Sequence, residues 1–203
     1  MKHLHLCLAA AATLAMVAPA RANIVANPSF ECGTSPWVSV LGGGGNDPWS
    51  VQPGTGHTGT HLMLTGCSIA SCADPNTGAR FYQDLTTVVG TVYDLTFWIQ
   101  STGGPPDEYR VYWDGTLVDD IVNQPFTNNF VQFTVNALTV TSTTTRLLFT
   151  GFQGPGIVEV DDVDVEARAN VATPEPATLA LLGLGLAGLG VVRRKRAAGR
   201  ADA

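Results

Sequence analysis

The fold is decided by residues 91–100, which read TVYDLTFWIQ. Their side chains sort into two faces, with Val92, Asp94, Thr96, Trp98 and Gln100 on one and Thr91, Tyr93, Leu95, Phe97 and Ile99 on the other. A period of two residues is that of a β-strand, and β-branched and aromatic residues favour this conformation. The segment therefore predicts a half-buried strand whose second face, with Phe97, points into a core.

Similar short runs recur on both sides of this strand. They cover His61–Thr65, 79–85, 109–114, 116–122, 130–140, 145–152 and 157–167. Turn residues separate them, and Asp114-Gly115 is typical of a tight hairpin. No amphipathic helix of useful length interrupts the series. The pattern predicts an all-β domain over residues 23–170, built as a jelly-roll β-sandwich.

Several short motifs follow one another in a familiar order. They are NIVANPSFE at 23–31, PW at 36–37, WSV at 49–51, GTHLML at 59–64, Gln83, GTVYDLTFW at 90–98, WDG at 113–115 and VDDV at 160–163. Together they resemble the galactose-binding-like carbohydrate-binding modules. The resemblance implies a jelly-roll sandwich, sugar binding as the commonest use of the fold, and often a structural calcium ion.

The strand aromatics indicate where a sugar could bind. Trp98 shares a strand face with Gln100, and Tyr112 shares one with Arg110. Sugar rings stack on aromatic faces while polar side chains orient their hydroxyl groups. We therefore expect sugar contacts at Trp98, Gln100, Arg110 and Tyr112. A place in the core is the alternative for each aromatic, and it is the favoured one for Trp37, Phe97 and Trp113.

A calcium site is expected where the first and last strands meet. Glu31 follows the opening motif, and Asp161 and Asp162 lie in the closing one. Carboxylates brought together repel one another unless a cation joins them, and Ca²⁺ prefers carboxylate and carbonyl oxygens. The alternative is a solvated acidic strand end.

Charge narrows the classes of function. Between residues 23 and 173 four arginines stand against fifteen carboxylates, a net charge of −11 with no lysine. Such a surface disfavours nucleic acid and is compatible with neutral polysaccharide and divalent cations. No Gly-x-Ser-x-Gly motif and no Cys–His pairing in a suitable context occurs, so we expect no enzymatic activity.

Three cysteines remain outside the N-terminal segment. Cys67 and Cys72 are five residues apart and form the candidate disulfide, although Cys32 could pair with either of them.

The two ends of the chain have the character of targeting segments. Residues 1–22 combine Lys2, an apolar run and the small-x-small site Ala20-Arg21-Ala22, which predicts a signal peptide. Residues 171–203 contain Pro174-Glu175-Pro176, an uncharged apolar run at 177–192 and the basic cluster RRKR at 193–196. The apolar run predicts a single transmembrane helix, and the basic cluster should remain cytoplasmic.

This tail resembles the PEP-CTERM sorting signal of bacterial surface proteins. The resemblance implies an exported protein that an exosortase processes at Pro174–Pro176, after transient anchoring in the inner membrane of a Gram-negative bacterium. The final location would be the cell surface or the exopolysaccharide matrix. Two functions stay open: a sugar-binding matrix protein that attaches to polysaccharide, or a structural matrix or adhesion protein without sugar recognition.

Overall fold

The computed structural model describes residues 21–42, 48–125 and 128–168. Ten strands and one 3₁₀ helix, η1, follow in chain order: β1 Val38–Val40, β2 Ser50–Pro53, β3 His61–Thr65, η1 Ala70–Ala73, β4 Arg80–Thr86, β5 Val92–Ser101, β6 Asp107–Trp113, β7 Thr116–Val122, β8 Val131–Thr139, β9 Thr144–Gln153 and β10 Val158–Ala167. The eight predicted strands correspond to β3–β10, with ends that differ by at most two residues. The short strands β1 and β2 were not predicted.

The strands form two antiparallel five-stranded sheets. The first, called the β5 sheet below, has the order β2-β3-β10-β5-β8, and the second, the β6 sheet, has the order β1-β4-β9-β6-β7. The all-β prediction and the sandwich architecture are thereby confirmed. Consecutive strands often lie in different sheets, so which side chains become neighbours depends on long-range pairing.

Aromatic rings fill the space between the sheets. Phe81 on β4 stacks on Phe149 on β9, with ring centroids 4.9 Å apart. Phe97 of β5 meets Phe149 edge-on from the other sheet. Trp37 and Trp113 are 3% and 4% exposed and Phe97 is fully buried, which confirms the predicted core role of all three.

The first described residues pair with the last strand. Asn23 forms an isolated bridge with Glu166, and the Ile24 N–H donates to the Val165 carbonyl at 2.9 Å. Farther along, the Val163 N–H donates to the Pro28 carbonyl at 3.0 Å. This pairing brings the segment after Pro28 to the middle of β10, where a bulge interrupts the register between Asp161 and Asp164.

A disulfide joins Cys67 to Cys72 around η1, and Cys32 is an exposed free thiol. The η1 segment packs on β9, where the Thr150 hydroxyl donates to the Ala73 carbonyl at 2.9 Å. The disulfide thus closes the small loop on itself, and the hydrogen bond ties the loop to β9 of the β6 sheet.

Most of the predicted signal peptide and the whole of the predicted sorting tail lie outside the described residues. Within the described ranges no helix has the length and hydropathy needed to cross a bilayer.

Candidate functional site

The four predicted sugar contacts lie on two different sheets. Trp98 and Gln100 point outward from β5, whereas Arg110 and Tyr112 point outward from β6. The four side chains therefore cannot form one row, as a single sugar site would require. Strand alternation predicts which way a side chain points, but it does not predict which sheet the strand joins.

Tyr112 lies in a depression of about 370 Å³ on the outer face of the β6 sheet, called the Tyr112 groove below. Its lining consists of Pro75, Asn76, Arg80, Tyr112, Gly115, Arg146 and Leu148. Tyr112 is opposite Leu148 in the β6–β9 register, and the two form an apolar floor although each is only 9% exposed. Arginine and asparagine side chains form the walls, so the groove combines an apolar surface with hydrogen-bond donors.

Arg146 is held in a fixed orientation beside this groove. Its Nε and Nη2 donate to Oδ1 and Oδ2 of Asp84 at 2.7 and 2.8 Å, and its guanidinium lies 3.9 Å from the centre of the Tyr82 ring. Hydrogen bonding from Arg146 lowers the pKa of Asp84 below its ordinary value. A two-point ion pair on an aromatic ring restricts the guanidinium plane. A neighbouring depression extends the groove along the sheet and shares Arg146 and Gly115 with it. Its other lining residues are Asp84, Asp114 and Thr144.

Arg80 and Arg110 differ in how their charges are engaged. The Arg80 Nη1 donates to the carbonyl oxygens of Gly78 and Asn76 at 3.1 and 3.3 Å. Arg110 forms ion pairs with Glu108 and with Asp120 and does not line the Tyr112 groove. Arg80 therefore retains donor capacity toward the groove, while the predicted ligand contact Arg110 is occupied by two carboxylates.

Trp98 lines a second depression, of about 490 Å³, on the outer face of the β5 sheet. This Trp98 groove is lined by Thr55, Gly56, His57, Trp98, Gln100, Asn128, Asn129 and Phe130. His57 stacks on the indole with a centroid distance of 3.7 Å and an interplanar angle of 15°. Phe130 meets the imidazole edge-on at 5.8 Å. One face of Trp98 is thus supported by a second ring.

The three predicted calcium ligands all hold the segment 57–61, but each binds it differently. Glu31 Oε1 accepts hydrogen bonds from the Thr60 and His61 N–H groups at 2.7 and 2.8 Å. These two bonds lower the pKa of Glu31 to about 2. Asp162 accepts from the Thr58 hydroxyl at 2.6 Å and contacts His57 Nδ1 at 2.6 Å. Glu31 and Asp162 therefore fix the conformation of segment 57–61 through hydrogen bonds.

Asp161 is the buried member of this set. It is fully buried, its Oδ2 accepts from the Thr58 N–H at 3.1 Å, and its Oδ1 accepts from the Asp162 N–H at 2.8 Å. Burial raises the pKa of Asp161 to about 6 because water no longer solvates the ionised form. Asp162 itself adopts a φ of 46°, which lets the bulged strand turn both aspartates toward the segment.

Three oxygen atoms gather beside Gly56. A methyl group placed on Gly56 would lie 2.6 Å from the Thr58 carbonyl oxygen and 2.8 Å from both the His61 carbonyl oxygen and Asp161 Oδ2. In the described part of the chain, no group of three or more His, Cys, Asp or Glu side chains could hold a metal ion. Two of these oxygens are backbone carbonyls and the third belongs to a carboxylate, which are ligand types that Ca²⁺ prefers, and an ion bound by them would lie farther from the Gly56 Cα than a methyl group.

Sequence reasoning did not identify His57, Phe130, Arg80 or Arg146 as groove residues. Alternation along β4 does place Arg80, Tyr82 and Asp84 on one face, which was an available signal. Nothing local indicated that His57 would cover Trp98, because their contact joins segments 41 residues apart.

Comparison with protein families identifies the chain's C-terminal segment. Residues 172–196 match the PEP-CTERM protein-sorting motif. The match contains the predicted Pro174-Glu175-Pro176 and indicates an exported protein. No curated protein matches the chain.

Solved structures with the same fold include several carbohydrate-binding modules. The module TmCBM61, solved with β-1,4-galactotriose, is 15% identical with a TM-score of 0.55, covering 72% of this chain and 99% of its own. The xylan-binding domain CBM22-1 of Paenibacillus barcinonensis Xyn10C is 15% identical with a TM-score of 0.53, covering 74% and 97%. The C-terminal family 22 module of Clostridium thermocellum Xyn10B is 14% identical with a TM-score of 0.52, covering 72% and 94%. At these identities the likeness establishes the fold.

Proposed function

We propose that this chain is an exported protein whose sandwich binds uncharged polysaccharide in the Tyr112 groove. The observation that carries the proposal is the combination, on one open sheet face, of the Tyr112–Leu148 floor with the guanidinium groups of Arg80 and Arg146. A sugar ring needs an apolar surface for its C–H face and fixed donors for its hydroxyl groups.

The local charge favours a neutral ligand over an acidic one. Arg146 is paired with Asp84, and Arg110 with Glu108 and Asp120. The charges of Arg110 and Arg146 are therefore largely compensated, whereas Arg80 donates only to backbone carbonyl oxygens and keeps its positive charge. A strongly anionic chain would also meet the net charge of −11 between residues 23 and 173.

The structural neighbours support the same class of ligand. One was solved with β-1,4-galactotriose and another is a xylan-binding domain, and both ligands are neutral polysaccharides or fragments of them. The shared fold supplies a similar open sheet face here, and the side chains described above would select the sugar.

A glycan array probed with the purified full-length protein tests the proposal. Binding to a neutral glycan should weaken at least about tenfold in Arg80→Gln and in Tyr112→Leu, the loss expected when an anchor residue is removed. Thr86→Ala is the matched control, because Thr86 is an exposed residue of the same strand as Arg80 and does not line the groove. Circular dichroism checks that each variant is folded.

If neither variant changes the affinity, the ligand lies elsewhere on the sandwich. If the wild-type protein binds no glycan, the structural matrix or adhesion role without sugar recognition replaces this proposal.

The sorting motif supports a second part of the proposal, concerning processing and location. An exosortase would recognise Pro174–Pro176 and release the protein from a transient inner-membrane anchor to the cell surface or exopolysaccharide matrix. A polysaccharide-binding sandwich would then be delivered to the place where its ligand accumulates.

A structural calcium ion is proposed beside Gly56. Asp161 and the carbonyl oxygens of Thr58 and His61 would hold it, and the ion would compensate the buried carboxylate. Calcium that binds only the folded state at about a hundred times its Kd should stabilise it by about 2.7 kcal/mol. Thermal melts in EDTA and in excess Ca²⁺ measure this. Equal midpoints would exclude a stabilising ion.

A further inference from the structure

Trp98 differs from the other three tryptophans of the chain. Trp37, Trp49 and Trp113 are 2–4% exposed and belong to the core, whereas Trp98 is only half-buried, on the outer face of the β5 sheet. An indole ring left partly in water forgoes part of the stabilisation that full burial would bring. The exposed part of Trp98 is therefore available to a ligand, unlike the rings of the other three tryptophans.

The surroundings of Trp98 hold the ring in a fixed position. His57 covers one face of the indole, and its Nδ1 is bonded to Asp162 Oδ2 at 2.6 Å. The other oxygen of Asp162 accepts the Thr58 hydroxyl, so the segment that carries His57 is attached to β10 at two points. A ring immobilised before binding costs less entropy when a ligand stacks on it.

The chemistry of the Trp98 groove selects an uncharged, hydroxyl-rich ligand. Apart from His57, its lining contains no ionisable side chain: it presents the amides of Gln100, Asn128 and Asn129, the Thr55 hydroxyl and the rings of Trp98 and Phe130. Amides both donate and accept hydrogen bonds, as a sugar hydroxyl does. Neither a charged peptide nor a phosphate would find a counter-charge among the other lining residues.

The Trp98 and Tyr112 grooves open on opposite faces of the sandwich. Packed sheets lie about 10 Å apart, and both grooves are on the outer side of their sheet. A sugar ring in one groove cannot reach the other, and the two grooves share no lining residue.

We propose that the Trp98 groove is a second site, for an uncharged sugar, and that one sandwich thereby bridges two separate polysaccharide chains. The bridging rests on the proposed function of the Tyr112 groove. The second site itself rests only on the Trp98 groove. A module with two sites can cross-link two polysaccharide chains, whereas a module with one site binds a single chain without linking it to another.

Calorimetric titration of the full-length protein with xylohexaose and with β-1,4-galactotriose tests the number of sites. We expect two ligands per wild-type molecule with at least one of these probes. One ligand should remain in Trp98→Ala and one in Tyr112→Leu, and none in the double variant. Gln100→Ala keeps the His57–Trp98 stack and should weaken only the second site, which separates loss of contact from misfolding. Gln132→Ala is the matched control, since Gln132 is exposed and opposite Trp98 on β8 but does not line the groove.

Light scattering of soluble xylan mixed with the protein tests bridging. Scattering should pass through a maximum at intermediate protein concentrations and be lost in each single variant, although each still binds. A single site that Tyr112→Leu removes and Trp98→Ala leaves intact would overturn this inference and leave the proposed function standing. A single site with the opposite pattern would overturn the assignment of the Tyr112 groove and the bridging. If neither probe binds, the titration is repeated with the glycan that binds most tightly on the array, and absence of binding to every glycan would overturn both proposals.

Discussion

Gly56 is the residue at which the lack of a side chain has the most direct consequence. The space that a methyl group would occupy is bounded by three oxygens at 2.6–2.8 Å. Gly56→Ala should therefore push the Thr58 carbonyl and Asp161 apart, lower the melting temperature and abolish any stabilisation by calcium. Gly104→Ala is the control, because a methyl group there meets nothing within 4 Å. Equal melting temperatures for the two variants would contradict the proposed packing around Gly56.

Asp161 should make the stability of the calcium-free protein depend on pH. Its folded pKa is raised to about 6 from 3.8, so the folded state binds the proton more tightly than the unfolded one does. Stability is then fully present below about pH 4 and is lost as the pH rises through 6. Asp161→Asn should remove up to roughly 3 kcal/mol of this dependence. Chemical denaturation in EDTA from pH 4 to 7 measures it, and parallel profiles for the variant and wild type would exclude the effect.

The shift in the pKa of Glu31 affects stability with the opposite sign, and its contribution is constant above about pH 5, where the effect of Asp161 is largest. The pKa of Glu31 is lowered to about 2 by two backbone donors, so its contribution to stability is present above its ordinary pKa of 4.5 and is lost as the pH falls toward 2.

Sequence reasoning placed Glu31 and the aspartates in one region because the first and last segments were expected to pair. It could not show that segment 57–61 would provide hydrogen bonds to all three carboxylates, since those bonds depend on loop conformation.

At the scale of the element, β5 was predicted almost completely. Its alternation matches the observed pattern, in which every second side chain from Tyr93 to Ser101 is buried. The regular alternation of buried and partly exposed side chains arises because one face of the strand contacts the core along its whole length. β1 and β2 were missed because they have only three and four residues and no buried side chains, so hydrophobic periodicity cannot reveal them.

The η1 loop should contribute measurably to stability through its disulfide. Closing a loop of about six residues stabilises the folded state by about 2 kcal/mol in the chain-entropy description. The Cys67→Ser, Cys72→Ser double variant should lower the urea midpoint accordingly, whereas Cys32→Ser should leave it unchanged because that thiol is exposed and unpaired. A reductant should reproduce the double variant's midpoint in the wild type. An unchanged midpoint would mean that η1 is held by packing on β9 alone.

At the scale of the whole molecule, the sequence was most informative about the tail and least about the binding faces. Pro174-Glu175-Pro176 is a local motif and could be read directly, and a family match contains it. The two grooves depend on which strands become neighbours across ten strands in two sheets. Trp98 and Tyr112 were both noted, but their positions on opposite sheets follow from topology that no local pattern encodes.

Processing at the motif predicts the C-terminus of the mature protein. Mass spectrometry of protein recovered from the extracellular matrix should show a chain that ends near Pro174–Pro176 and lacks the basic cluster. Replacing Pro174-Glu175-Pro176 by three alanines should leave the protein in the membrane fraction. Recovery of extracellular protein that retains Arg193–Arg196 would rule out cleavage.

The central position of β10, which also pairs with Asn23 and Ile24, has a mechanical consequence. Any tension applied to the chain beyond Ala167 enters the molecule through β10, which lies between β3 and β5 and is hydrogen-bonded to both. Force along a central strand loads many of these bonds at once in shear, instead of opening them one at a time from an edge. Resistance to pulling is set by the rate of unfolding under load. The strand that bears such tension also carries Asp161. A calcium ion bound to Asp161 would therefore slow the unfolding of the domain under load.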